Sequence, residues 1–338
     1  MTQSQTLNPI GEPARTLAVV ILNYRTPAMT IDCLETLEPE LASRGDARVY
    51  VVDNRSGDGS ADQIEQAINE RGWSAWCELI RSDTNGGFAA GNNLGLRKAH
   101  ADGGFAHALL LNSDTLVREG AIAELLGAAE QHTDAALIGP RLEWPDGKAQ
   151  VSAFRFQTPI TELINAAAIG VVTRLFARHN TAIDASDRAM PAPWLSFACI
   201  LIRKDVFETA GLLDEGYFMY FEDTAFCRNA KRAGFAALYW PEAHVVHLRG
   251  GSSPVKSAAT ARKRLPAYFY ASRSRYYASF YGRPGLWLAN ALWLLGRGLS
   301  WLRERLGRCS HIAEKASRDI WTNATDPFRP YSPPGAKS

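Results

Sequence analysis

Short apolar runs alternate with segments of helical spacing through the first 140 residues. The runs are rich in Val, Ile and Leu, which is typical of strands buried on both faces of a sheet. Strands alternating with helices of this length imply βαβ units and a mostly parallel sheet. Strands are predicted over 17–24, 48–53, 75–81, 105–111 and 135–138, and helices from Pro27, from Asp58 or Ser60, and over 119–131.

The pattern is less regular after residue 143. The segment 144–147 (Trp-Pro-Asp-Gly) predicts a hairpin turn. Residues 160–190 fit no regular period and are interpreted as a mobile helical insert. Further strands are predicted over 194–202, 236–240 and 244–248, and helices over 204–210 and 223–233.

An amphipathic helix is predicted near the C-terminus. Trp287, Trp293 and Trp301 flank its apolar face, and arginines surround it. This combination favours a helix in a membrane interface, whereas packing on the protein body or on a second copy is the alternative. The face consists of leucines at spacings of four and three: Leu288, Leu292, Leu295, Leu299, Leu302 and Leu306.

Composition narrows the class of protein. The chain has 338 residues, 46% of them hydrophobic, which suits about two domains. Its five cysteines include no C-x-x-C pair, so neither a zinc site nor a disulfide framework is indicated and a reducing cytosol fits. No apolar run is long enough to span a membrane, and the polar residues 1–15 predict a disordered lead-in, not a signal peptide.

Charge is distributed unevenly along the chain. The formal net charge is +2, but residues 251–310 hold eleven Lys and Arg against one acid, Glu304. That segment therefore carries a charge of +10 and the rest −8. The basic segment favours an anionic partner such as a membrane surface, and nothing in the body favours nucleic acid.

Polar residues stand at the predicted carboxyl ends of the strands, where α/β sheets bind ligands. Asn23, Tyr24 and Asp53 follow the first two strands. Taken alone, Asp53 is better explained as a turn-forming residue. The glycine-rich run 85–93 is more specific, because glycines admit a ligand close to the backbone and a helix start suits a diphosphate.

Oxygen-bearing side chains follow the strand predicted over 105–111. Asn112 and Asp114 can point to the same side of the chain. Mg²⁺ and Mn²⁺ prefer such ligands together with substrate phosphate. His247, at the end of a later strand, is a further candidate ligand. A helix-capping Asp and a packed His are the structural alternatives.

Two adjacent acids, Glu222 and Asp223, lie between an aromatic stretch and a predicted helix. Shielding by aromatic rings would raise the proton affinity of a carboxyl group. One of the two is therefore a candidate general base. Helix-terminal acids that complement the helix dipole are the alternative.

Seven ordered segments over roughly residues 17–253 resemble family 2 inverting glycosyltransferases, and more closely the bacterial rhamnosyltransferase-type members. The resemblance implies an α/β GT-A fold, with a mostly parallel nucleotide-binding sheet flanked by helices and a C-terminal helical extension. The segments are ILNY (21–24), VVDNRSGDGS (51–60), NGGFAAGNN (85–93), LLNSDT (110–115), WLSFACILIRK (194–204), GLLDEGYFMYFED (211–223) and HVVHLRGGSS (244–253).

The resulting domain division places a glycosyltransferase domain at 16–253. Residues 16–118 form its nucleotide-sugar-binding half and 119–253 its acceptor-binding half. A basic amphipathic helical region follows at 254–325, and then a disordered tail at 326–338.

The resemblance assigns the donor-binding and metal-binding roles. Asp114 and His247 would hold the divalent metal, Mg²⁺ or Mn²⁺. Asn112 stands where the family's D-x-D-type motif has its first acid, which weakens direct ligation there. Donor-binding roles fall on Asn23, Tyr24, Asp53, Asn85, Gly86, Gly87, Asn93, Asn112 and Ser113.

Asp223 matches the family's catalytic base. Trp194, Ser196 and Glu222 would lie near the acceptor. The chain has Ala225 where the family often has another acid, and Phe197 where it often has glycine. These two departures affect the acceptor site and leave the class unchanged.

The implied activity is that of a metal-dependent hexosyltransferase in cell-surface polysaccharide synthesis. The favoured donor is dTDP-L-rhamnose and the acceptor a glycan or a polyprenyl-diphosphate-linked glycan. The expected location is cytoplasmic, peripheral on the inner face of the bacterial cytoplasmic membrane. Alternatives are a transferase using a UDP-sugar and a membrane-associated nucleotide-sugar-binding protein without transfer activity. A nicotinamide dehydrogenase is disfavoured because the first strand lacks a following G-x-G-x-x-G.

Overall fold

The computed structural model of the chain describes residues 15–41, 44–249, 255–307 and 309–331. Parts of three sequence predictions lie outside these residues. They are positions 1–14 of the lead-in, 250–253 of the last family-like segment, and 332–338 of the tail.

Strands and helices alternate up to residue 143, as the apolar pattern predicts. The strand β5 was not predicted, and β6 runs five residues past its predicted end. In chain order the elements are β1 (Leu17–Asn23), α1 (Pro27–Leu41), β2 (Ala47–Asp53), α2 (Ser60–Glu70), β3 (Cys77–Arg81), α3 (Gly87–Ala101), β4 (His107–Asn112), β5 (Thr115–Val117), α4 (Ala121–Gln131) and β6 (Ala135–Glu143).

The second half begins with the predicted hairpin turn, in which the Gly147 N–H donates to the Trp144 carbonyl (2.8 Å). The segment 160–190 is partly helical, and its mobility stays a prediction. The elements are β7 (Ala153–Phe154), α5 (Pro159–Ala167), α6 (Gly170–Leu175), β8 (Ala182–Ile183), β9 (Met190–Ala192), β10 (Trp194–Leu195), β11 (Cys199–Arg203), α7 (Lys204–Thr209), α8 (Glu222–Arg232), β12 (Ala236–His247), α9 (Val255–Thr260), α10 (Ala267–Arg305) and α11 (Ala316–Asp319).

The main sheet has the order β3-β2-β1-β4-β11-β6-β12-β5, with β9 paired to β12. Strands β1 to β4 are parallel, whereas β11 is antiparallel to both of its neighbours. Helices cover both faces of this sheet, because successive β1 residues point to opposite cores. Leu17, Val19 and Ile21 pack with α1, α2 and α4, whereas Ala18 and Val20 pack with α3, α7 and α8.

Three strands predicted in the second half have other bounds in the structure. The run 194–202 is not one strand, because Trp194–Leu195 joins a small sheet with β7 while Cys199–Arg203 enters the main sheet. Between them the chain turns, and the Ala198 carbonyl accepts from the Asn112 N–H (2.9 Å). The runs 236–240 and 244–248 form a single strand, β12, with an irregular register between Trp240 and His244.

The C-terminal helix α10 is bent at Gly282, which has a left-handed φ of 71°. Beyond the bend the helix packs on α5, where Trp293 clusters with Ala166 and Gly296 lies close to the Leu163 carbonyl. Leu286 and Ala289 are buried instead against Tyr276 and Tyr277. The opposite side of the helix is exposed. Exposed apolar side chains recur there in adjacent pairs seven residues apart: Trp287 and Leu288, Leu294 and Leu295, Trp301 and Leu302.

We call these six side chains the outer face of α10. Of the predicted leucine stripe, Leu288, Leu295, Leu302 and Leu306 are exposed, whereas Leu292 and Leu299 are half-buried.

None of the helices in the described part of the chain combines the length and hydropathy that a membrane span needs.

Helix α3 lies unusually close to the sheet because glycines face it. A Cβ at Gly91 would stand 2.3 Å from Leu22 Cδ1, and one at Gly95 would stand 2.5 Å from Val20 Cγ1. This close approach brings the start of α3 to the carboxyl ends of β1 and β2.

The close approach predicts opposite effects for two helical glycines. Gly95→Ala should destabilise the protein by about 1–3 kcal/mol through overpacking. Gly127→Ala in α4, where an added Cβ would meet only the Gln131 amide at 3.8 Å, should stabilise it by about 0.5–1 kcal/mol. Urea denaturation of both variants measures the difference, and equal stabilisation would contradict the packing described.

Candidate active site

A cavity of about 700 Å³ opens at the carboxyl ends of β1, β2 and β4. Other parts of its wall come from the start of α3, the small sheet of β7, β8 and β10, the turn before α8 and the end of β12, with Tyr268 of α10 and Tyr331. Most residues singled out in the sequence meet here. They are Tyr24, Asn85, Gly87, Asn112, Ser113, Asp114, Trp194, Ser196, Glu222, Asp223 and His247.

Asn23 and Asp53 lie beneath this cavity and do not line it. The Asn23 amide donates to Asp53 Oδ1 (2.7 Å), and its oxygen accepts from Thr30 Oγ1 (3.0 Å). Asp53 Oδ2 accepts from the Ser56 N–H at 3.1 Å. These contacts fit the turn-forming interpretation of Asp53, and direct donor contact by either residue stays a prediction.

Asn93 is also buried away from the cavity. Its amide donates to the Leu213 carbonyl (2.8 Å) and its oxygen accepts from the Leu213 N–H (3.1 Å). Asn93 therefore ties α3 to the segment that leads to Glu222. Its donor-binding role, like that of Gly86, stays a prediction, because neither residue is part of the cavity wall.

The glycine-rich loop 85–93 packs directly against the turn before α8. Gly87 has a φ of +82°, and a Cβ there would lie 1.9 Å from the Phe218 carbonyl oxygen, so only glycine fits. The Phe88 N–H donates to the same oxygen (2.7 Å). The Asn54 amide donates to Asn85 Oδ1 (3.0 Å), and Asn54 Oδ1 is buried without a partner among the described residues.

Asp114 and His247 are brought together by strand pairing. Strand β5 pairs antiparallel with β12, which sets His247 beside Thr115. As a result His247 Nε2 lies 3.4 Å from Asp114 Oδ1, and both side chains are buried. Within the described residues no third His, Cys, Asp or Glu joins them. Two protein ligands suit a cation that is also held by substrate phosphate and water, so this pair fits a divalent metal.

Arg249 lines the same cavity, although the sequence analysis did not single it out. Its guanidinium donates to Gln150 Oε1 and lies 5.3 Å from the centre of the Trp144 ring. Burial lowers the pKa of Arg249, and the charge of Asp114 opposes that shift. Its place two residues after His247 was the signal that could have found it.

Glu222 and Asp223 begin α8 directly after two residues in the left-handed region. Tyr220 and Phe221 have φ values of 70° and 69°. Rings of α10 pack against this turn, with Tyr268 stacked on Tyr220 (6.5 Å between centroids) and Phe269 tilted against Phe221 (5.8 Å). The aromatic shielding expected for the acid pair is therefore present, and α10 supplies part of it.

Burial raises the pKa of Asp223 to about 6, although a hydrogen bond from the Thr224 N–H opposes the shift. Burial and the charge of Asp223 raise the pKa of Glu222 well above its ordinary value. Glu222 Oε2 has no partner among the described residues. The pKa of Glu222 is raised more strongly than that of Asp223, so Asp223 is the member of the pair that ionises first as the pH rises, which suits a general base.

The sheet and its cavity define a GT-A glycosyltransferase. Residues 13–268 match the model of the family described as "Glycosyltransferase like family 2". The chain belongs to this family, and it is a glycosyltransferase. The resemblance recognised in the sequence and the α/β GT-A fold expected from it are both confirmed.

Curated relatives lie within the same class. The chain is 28% identical over 298 residues to the N-acetylglucosaminyl-diphospho-decaprenol L-rhamnosyltransferase of Mycobacterium tuberculosis, covering 83% of this chain and 89% of the relative. It is also 28% identical over 222 residues to the low-salt glycan biosynthesis hexosyltransferase Agl10 of Haloferax volcanii, covering 64% and 62%.

Solved structures agree on the fold. S. aureus TarS 1–349 superposes with a TM-score of 0.53 at 16% identity, covering 93% of this chain and 80% of that one. The mannosyltransferase PcManGT of Pyrobaculum calidifontis, in complex with GDP-Man and Mn²⁺, has a TM-score of 0.53 at 12% identity, covering 96% and 87%.

Proposed function

We propose that this glycosyltransferase is a metal-dependent, inverting hexosyltransferase. It moves a sugar from a nucleoside diphosphate donor to a hydroxyl of a glycan or lipid-linked glycan acceptor. The observation that carries the proposal is one cavity holding an ionisable carboxylate, Asp223, together with the Asp114–His247 pair. The name of the mycobacterial relative favours L-rhamnose from dTDP-L-rhamnose as the donor sugar, with a UDP-sugar as the alternative.

Asp223 acts on the acceptor. Its carboxylate takes the proton of an acceptor hydroxyl while that oxygen forms a bond to the anomeric carbon of the donor sugar. The bond from that carbon to the diphosphate breaks on the opposite face, and the nucleoside diphosphate leaves with the electron pair. The configuration at the carbon therefore inverts. Glu222 lines the same cavity next to the base, and its Oε2, which has no partner among the described residues, is available to contact the acceptor.

Two features of the cavity are placed to receive the negative charge of the leaving diphosphate. Arg249 adds a cation close to Asp114. Asp114 and His247 would hold a divalent metal, which neutralises charge on the departing phosphate when it is bound.

The outer face of α10 supports a membrane-bound acceptor. Its tryptophans and leucines are exposed, and Arg305 lies 3.8 Å from the Trp301 ring centre. Apolar side chains flanked by arginines suit the interface of an anionic bilayer. The proposed location is the inner surface of the bacterial cytoplasmic membrane.

Asp223→Asn should lower kcat about 10²–10⁴-fold by removing the general base. Asp62→Asn is the matched control, because Asp62 is also an acid in the first turn of a helix but is exposed on α2. Release of nucleoside diphosphate by wild type and both variants measures the effect. If kcat fell equally in both variants, Asp223 would act only through the helix dipole and would not be the base.

The raised pKa of Asp223 predicts the pH dependence. Because the base works only when ionised, kcat/KM should rise with pH through about 6. Glu222→Gln should keep this acid limb near the same pH, since burial, and not the charge of Glu222, raises the pKa of Asp223. Disappearance of the limb in Glu222→Gln would make Glu222 the base instead.

Asp114→Asn should weaken Mn²⁺ binding in the presence of dTDP or UDP, because it removes the carboxylate of the proposed metal pair. Titration calorimetry reads binding directly, and EDTA followed by Mn²⁺ tests activity in parallel. His244→Ala on the same strand is the control, since His244 contacts Glu143 (3.1 Å) outside the cavity. Full activity in EDTA would argue against the metal.

Leu295→Glu should reduce flotation of the protein with anionic vesicles of phosphatidylglycerol and phosphatidylcholine, because it places a charge on the outer face of α10. Gln66→Glu on exposed α2 adds the same charge elsewhere and should have no effect. If wild type does not float with these vesicles, the membrane partner is wrong.

A further inference from the structure

A second cavity, of about 410 Å³, adjoins the first at the candidate base. It lies between α5, the turn before α8, α10 and the segment 311–320. Trp194, Tyr220 and Asp223 line both cavities. Asp223 therefore stands at their boundary, with the Asp114–His247 pair lining only the first.

The wall of the second cavity is largely aromatic and aliphatic, with Phe269, Tyr270, Trp293 and Ile320 among its residues. Ligand pockets commonly combine such a wall with a few placed polar groups. Here the polar groups include Glu162 and Asn165 of α5 and Arg273 of α10, together with Gln157, Thr181, Asp223 and His311. A wall of this kind suits a ligand that has both an apolar face and hydrogen-bonding groups.

Arg273 is the polar group that most needs a ligand. Its side chain is 3% exposed and lines the cavity. Its Nε donates to Glu162 Oε1 (3.0 Å) and its Nη1 to Asn290 Oδ1 (2.7 Å). Its Nη2 is buried and has no hydrogen-bond partner among the described residues. Leaving a charged donor unpaired in the interior is costly, so an oxygen supplied by a ligand would remove a penalty.

We propose that this second cavity seats the acceptor sugar, an inference that rests on the function proposed above. In an inverting transfer the acceptor hydroxyl attacks the anomeric carbon from the face opposite the leaving diphosphate. The base must therefore lie beside that hydroxyl, on the side of the sugar away from the diphosphate. A cavity that meets the donor cavity only around Asp223 provides that approach. The hydroxyl to be glycosylated then lies at Asp223, and another acceptor oxygen accepts from Arg273.

The charge of the cavity favours a neutral sugar over a phosphate group. Glu162 offsets the positive charge of Arg273, and His311 Nε2 lies 3.0 Å from the Asn165 carbonyl. Among the side chains that the structure describes, no other cation is part of the cavity wall. A hydroxylated ring can instead pack its apolar face on the aromatic side chains and give its hydroxyls to Arg273.

Helix α10 also connects the cavity with the outer face. Trp293 points into the cavity, whereas its neighbours Leu294 and Leu295 are exposed on the other side. The lipid part of an acceptor can therefore lie along the outer face while its sugar enters beside Trp293. All of the wall residues that α10 and the segment 311–320 supply lie beyond residue 268, where the family match ends. Acceptor choice is thus a property of the C-terminal segment.

Bulky substitutions in this cavity should separate transfer from donor hydrolysis. Ala313→Trp fills the half-buried wall, and Ala259→Trp narrows the exposed rim, where misfolding is not expected. Ala123→Trp, exposed on α4, is the control. The probe is N-acetylglucosaminyl-diphospho-decaprenol with dTDP-L-rhamnose. We expect at least a tenfold loss of transfer in both cavity variants, with acceptor-free donor hydrolysis within twofold of wild type.

Three outcomes would overturn parts of this scheme. If the cavity variants transfer as well as wild type, the second cavity is not the acceptor site. If wild type hydrolyses the donor but the probe does not stimulate it, the class of acceptor is wrong. If wild type turns over no donor at all, the proposed function fails and this inference fails with it.

Discussion

The left-handed turn at Tyr220 and Phe221 is the constraint on which the site depends. Each bulky residue in this region costs roughly 1–2 kcal/mol. The cost is offset by α10, whose Tyr268, Phe269 and Tyr276 rings pack on the turn. Aromatic pairs of this kind contribute about 0.5–1.5 kcal/mol each. The C-terminal helix therefore holds the acid pair in place from outside the nucleotide-binding sheet.

The same turn is fastened to the donor side of the cavity. The Phe218 carbonyl leaves room only for glycine at position 87 and accepts from the Phe88 N–H. Asn93 forms a paired hydrogen bond with the backbone of Leu213, at the start of the segment that carries the turn. These contacts join the loop expected to approach the diphosphate directly to the turn that carries the carboxylate expected to deprotonate the acceptor.

Asp223 and Asp114 line the same cavity but have different surroundings, so they suit different chemical roles. Asp223 lies beside Glu222 next to the aromatic turn, and burial raises its pKa to about 6, into the range useful for a base. Asp114 lies beside His247 and near the cation of Arg249. Such a separation of environments is how one pocket assigns acid–base and charge-stabilising roles to chemically identical groups.

The sequence alone determined the α/β alternation, the GT-A class and most of the cavity wall. Buried strands, glycine turns and polar strand ends are local patterns, and the sheet topology brings strand ends together without further information. Only the tertiary structure showed that 194–202 divides between two sheets and that Asn23 and Asn93 lie beneath the cavity wall. Only it revealed the second cavity. Each of these results depends on contacts between residues far apart in the chain, such as Phe269 against Phe221 or Arg273 against Glu162, and local periodicity carries no information about them.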